Sequence, residues 1–148
     1  GTIMIKRTVK YTDFNDVKRE EDFYFNLTKD EVLDLQSSVP GGYSAYIEGI
    51  SNAEDISAVY DQIKKFIDIS YGVKSDDGRK FTKSPETLME FKSTNAYSNL
   101  IFDMLDQQDS LVDFVNGILP QDLLARANAV LEKTGGDVDE AKKLIENE

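Results

Sequence analysis

Apolar and polar positions alternate along the first stretch of the chain, where Lys6, Thr8 and Lys10 separate Ile5, Arg7, Val9 and Tyr11. A repeat of two is the mark of a half-buried strand. Phe23, Phe25 and Leu27 alternate in the same way with Asp22, Tyr24 and Asn26, and Thr12-Asp13-Phe14-Asn15-Asp16 supplies turn residues between the two runs. Met4 to Leu27 therefore reads as a hairpin. Lys6 and Lys10 are expected to face Glu20 and Asp22 across it. A lone hairpin is marginal in water, so it must lie on helices or pair its edge with another copy.

The period then changes. Thr28-Lys29-Asp30-Glu31 is a capping box opening a short helix through Val32, Leu33 and Leu35, which Pro40-Gly41-Gly42 stops. Tyr43 to Ile50 reads as a second short helix. From Glu54 to Tyr71, Ile56, Val59, Tyr60, Ile63, Phe66 and Ile67 recur at helical spacing and form a wide apolar face. Gly72 is expected to end that helix in a left-handed conformation. Val73 to Phe81 follows as a second hairpin turning at Asp77-Gly78.

Ser84-Pro85-Glu86 starts another helix, with Ser84 as its cap, continued by Leu88, Met89 and Phe91. Tyr97, Leu100, Ile101, Met104 and Leu105 mark the next, and Leu111, Val112, Phe114, Val115, Ile118 and Leu119 the one after. Beyond Pro120 the stripe narrows to Leu123, Ala127, Val130 and Leu131, breaks at Gly135-Gly136, and resumes at Val138, Ala141 and Ile145. The pattern predicts a mainly α-helical α+β fold. It has an N-terminal hairpin and helical core over residues 4–120 and a loosely attached helical-hairpin tail over 121–148. Gly1-Thr2-Ile3 ahead of Met4 reads as an added leader.

Composition narrows the function. The chain has 148 residues, a net charge of −11, and neither cysteine nor histidine. That removes thiol nucleophiles, Cys/His zinc sites and the commonest general base, and a cofactor or catalytic set is not expected. So acidic a chain is a poor general binder of nucleic acid. No apolar run approaches the roughly 20 residues needed to span a bilayer, so a cytosolic protein is expected.

Candidate chemistry is sparse. Asp76-Asp77-Gly78 lacks the alternating ligand spacing of a calcium loop and reads as a turn. Gly41-Gly42 lacks the Lys-Ser/Thr of a phosphate loop and reads as a breaker. Glu20, Glu21 and Asp22 are consecutive on a strand, so neighbours point to opposite faces. Lys74, Arg79, Lys80 and Lys83 form the one dense cationic cluster, read either as edge protection or as a docking patch for an acidic partner. Leu123, Leu124, Val130 and Leu131 form the other candidate contact, a stripe on the tail. LEKTGGDVDEAKKLIE resembles the last two helices of ubiquitin-associated-type modules, but that module's first helix and binding loop are not evident, and the stretch reads as a generic helical hairpin.

Taken in order, RTVKYTDFND, DFYFNLTKDE, YGVKSDDGRKFTKSPE, AYSNL and FVNGILP resemble the tail assembly chaperones of long-tailed bacteriophages, of the kind encoded in Gram-positive phages and prophages. The resemblance covers roughly Met4 to Pro120. It implies a non-enzymatic protein of the host bacterial cytoplasm that binds the tape measure protein and keeps it soluble until tail tube subunits polymerise around it. It also implies a homo-oligomer, with the tail tube protein as a further partner. A structural tail component of the virion, or a small adaptor using the tail, are the alternatives.

Overall fold

A computed structural model of the chain describes residues 4–39, 41–43, 45, 49, 56–119 and 121–146. The expected alternation produces β1 (Ile5–Thr12) and β2 (Lys18–Phe25), paired antiparallel along their full length. The turn between them is held by Asp13, whose carboxylate accepts the backbone N–H of Asn15 at 2.8 Å and of Val17 at 3.0 Å, and the Arg19 guanidinium at 2.6 Å. The register puts Glu20 opposite Lys10, as expected. Asp22 stands opposite Thr8 and accepts its hydroxyl at 2.6 Å, and Lys6 faces Tyr24 instead of an acid.

Thr28 and Glu31 form the reciprocal capping box, opening α1 (Lys29–Ser37). The short helix expected over Tyr43 to Ile50 lies largely outside the described residues. α2 (Ile56–Ser70) buries Ile63, Phe66, Ile67 and Ser70, while the first-turn Ile56 is 74% exposed. The chain then runs directly into β3 (Tyr71–Lys74), where Gly72 pairs with Tyr24. Gly72 is therefore no left-handed cap. A Cβ there would come within 2.6 Å of the Phe81 ring and 2.9 Å of Lys83 Cγ, so glycine is required for close packing. Ser70 helps end the helix by donating its hydroxyl to the Phe66 carbonyl at 2.6 Å.

β3 and β4 (Phe81–Thr82) complete a four-stranded antiparallel sheet of order β1-β2-β3-β4. The expected hairpin is thus half of a larger sheet. Its turn closes with the Gly78 N–H on the Ser75 carbonyl at 2.9 Å, with Gly78 at φ +76°. Ser84 caps α3 (Pro85–Lys92), with Thr87 answering in the capping box. α4 (Asn95–Asp106), α5 (Gln108–Ile118), α6 (Gln121–Lys133) and α7 (Val138–Glu146) follow.

The sheet settles the question of its open edge through α4. The Asn95 amide donates to the Thr12 carbonyl at 2.9 Å and the Asn99 amide to the Lys10 carbonyl at 3.0 Å. Side chains four apart on a helix match backbone groups two apart on a strand, because about 6 Å of helix spans about 7 Å of strand. The helix takes the place of a neighbouring strand over this half of β1.

Beneath the sheet lies an aromatic core. Phe25 meets the Phe114 ring at 5.0 Å and the Tyr71 ring at 5.8 Å, while Phe91 stacks on Tyr71 at 4.3 Å and on Phe23 at 4.7 Å. Each such pair adds about 0.5–1.5 kcal/mol beyond its buried area. At the rim Tyr97 is mostly buried and donates to Asp68 at 3.0 Å; burial first, then the adjacent carboxylate, pushes its phenol well above the usual range. No described helix is long and apolar enough to cross a membrane.

Candidate functional site

The cationic hairpin is fixed at its base by β3 and at its tip by Asp77. The Asp77 carboxylate accepts from Ser75 Oγ at 2.7 Å and from the Arg79 N–H at 3.1 Å, and these hydrogen bonds hold it below the ordinary carboxylate range. Lys74 sits with its ammonium 5.2 Å from the Tyr24 ring centre. Arg79 pairs with Asp77 at 3.1 Å, both side chains mostly exposed, and Lys80 is exposed. All three lie on the hairpin between Lys74 and Phe81.

Lys83 does not join them. Its ammonium turns inward and donates to Glu31 Oε1 at 2.5 Å, the Asn26 carbonyl at 2.8 Å and the Ile69 carbonyl at 3.2 Å. An ammonium has three N–H donors and all are used here. Lys83 therefore ties the end of β2, the start of α1 and the end of α2 together, and is a structural group.

The tail is also placed differently from the expectation of loose attachment. α6 and α7 pack on each other and on α1, and their contacts with other described elements are slight. Leu124 (5% exposed) and Val130 (4%) belong to the core, and Leu123 and Leu131 are half-buried against it. Asn128 Oδ1 accepts from Gln36 at 2.8 Å, Lys142 pairs with Asp34 at 3.0 Å, and Lys29 reaches the Ile145 carbonyl at 3.5 Å. The hydrogen bond from Lys142 to Asp34 raises the ammonium above the usual lysine range. A side-chain hydrogen bond with Asp30, followed by charge repulsion between the two groups, raises Glu146 above the ordinary carboxylate range, and Asp30 Oδ1 is buried with no hydrogen-bond partner.

Helical spacing explains how α1 serves two sides. Lys29, Asp30, Leu33, Asp34 and Gln36 fall in one sector, toward the tail, and Glu31, Val32 and Leu35 fall in the other, toward Lys83 and the body. α1, from residues nearly a hundred positions earlier, is the third helix packed with α6 and α7.

Two open grooves went unforeseen. One, of about 500 Å³, is lined by Lys10, Tyr11, Thr12, Lys18, Arg19, Glu20 and Asn99. Its cations are separate in sequence and converge through the strand register. The other, of about 570 Å³, lies where the end of α1 meets the turn between α6 and α7, with Val39, Leu131 and the glycine pairs 41–42 and 135–136 in its lining. Each glycine pair reads singly as a breaker, and nothing in the sequence announces that the two meet. Among the described residues no group of three or more acidic side chains is placed to hold a metal ion.

Compared with known proteins, the profile of a family described as "Phage tail assembly chaperone" matches residues 4–147, so its match includes the tail. No curated protein and no solved structure matches. The chain belongs to the phage tail assembly chaperone family.

Proposed function

We propose that this family member binds the tape measure protein of its phage and keeps it soluble while tail tube subunits polymerise around it, in the host cytoplasm and without catalysing a reaction. Membership of the family over nearly the whole chain carries the reading. A tape measure is a very long, apolar-striped helix, and such helices are taken up in grooves. A net charge of −11 keeps a loaded complex in solution.

Lys74, Arg79 and Lys80 are the proposed charged contacts, and Leu123 and Leu131 the proposed apolar ones. Lys83, Leu124 and Val130 hold the fold in place. Several copies along one client give avidity that a single weak contact lacks, and self-association of the chain follows from the same arrangement. The tail tube protein, arriving at the coated tape measure, is the second partner.

The test is the solubility of the tape measure protein from the same genome, expressed with and without this chain. It is expected to stay in the supernatant only in the presence of the chain. Reversing Lys74 and Lys80 to Glu should weaken capture about 3–10-fold at low salt and less at high salt. If the client precipitates regardless, and the chain is found in purified particles, a structural tail component replaces the chaperone reading.

A further inference from the structure

The tail's seat on α1 has the anatomy of an interface between two proteins. By helical spacing Leu33 lies between Lys29, Asp34 and Gln36, polar groups that bond the tail at three points. The helices seated there present Leu124, Ala127, Val130, Ala141 and Ile145, a stripe of small and aliphatic residues. The contact also carries a built-in cost. Asp30 Oδ1 is buried without a hydrogen-bond partner. The body, by contrast, is tied to α1 through the other sector by the Glu31–Lys83 pair.

We propose that the tail is a self-bound occupant of this face, and that an amphipathic helix of the client takes its place. The occupant is defined by what α7 presents there now: Ala141 and Ile145 at helical spacing and a cation opposite Asp34, as Lys142 is. Exchange leaves the sheet, α2 and α4 untouched, because the tail packs chiefly on α1. The inference rests on the client-binding reading above.

The chain lacks cysteine, so Val39→Cys with Glu132→Cys, which line one groove between the end of α1 and α6, can be joined by a short reducible bis-methanethiosulfonate linker without side reaction. The linked protein is expected to capture the tape measure protein at least about tenfold less well, with capture restored by reductant. Equal capture in the linked and reduced states overturns the exchange while leaving the client reading intact. Capture in neither state, when the unsubstituted chain captures the client, also counts against the exchange. Failure of the unsubstituted chain to capture overturns the client reading and the exchange with it. Hydrogen exchange on the unsubstituted complex gives a second measurement. The amides of α6 and α7 should lose protection on binding while those of α1 keep it, and tail amides that stay protected overturn the proposal.

Discussion

The body beneath the sheet and the tail's seat on α1 are both built from apolar stripes, yet they are held in different ways. In the body, Phe25, Phe91, Phe114 and Tyr71 come from β2, α3, α5 and β3 and touch one another, so each ring is enclosed by several elements. In the tail, Ala127, Val130, Ala141 and Ile145 are as thoroughly buried, but among the described elements α6 and α7 pack chiefly on each other and on α1. Burial of a side chain therefore says little about how cooperative its region is. The number of separate elements that must move to expose it says more.

The comparison is broken most severely by Phe91→Ala. Removing a ring shared by Phe23, Phe25, Tyr71 and Tyr97 should cost about 3–5 kcal/mol and lower the whole melting transition together, measurable by thermal or urea unfolding. Ile145→Ala should cost about 2–4 kcal/mol, but locally. Hydrogen exchange should quicken across α6 and α7 while β1, β2 and α4 stay protected. Equal quickening everywhere would show that the tail and body form one cooperative unit.

Lys83→Met sharpens the contrast from the other side, because Lys83 ties α1 to the body. Leaving Glu31 and two carbonyls without their donor should cost about 1–3 kcal/mol in urea unfolding. Lys80→Met, on the exposed turn, should stay within about 0.5 kcal/mol.

The smallest effect concerns acid. The hydrogen bond from Arg19, followed by the Val17 and Asn15 amides, holds Asp13 below the ordinary carboxylate range. A lowered pKa in the folded chain means that the contribution is present above the unfolded value of about 4 and is lost as pH falls through the folded one. The difference in Tm between the native chain and Asp13→Asn should therefore shrink as pH drops below about 4. A constant difference would mean that the turn is held without the charge.

Local rules made much of the fold legible. The Thr28–Glu31 and Ser84–Pro85 helix starts and the alternation of β1 are decided by neighbours within four residues, and all are as the sequence implies. What was illegible depends on distant partners. A glycine after a helix is the same signal for a left-handed cap and for close packing, and only the Phe81 ring decides for Gly72. Lys83 sits in a run of cations, and its direction is set by Glu31, Asn26 and Ile69, far off in sequence. The tail's amphipathic stripe was visible, but the second face of α1 that receives it looks like an ordinary polar face, because Lys29, Asp34 and Gln36 flank a single leucine.

The central claim is that this chain is a client-binding protein acting in several copies. Native mass determination of the complex purified after co-expression with the tape measure protein tests it most directly. One client carrying multiple copies of the chain in a single soluble species is expected. Recovery of the chain free of client, with the tape measure protein in the pellet, would contradict it.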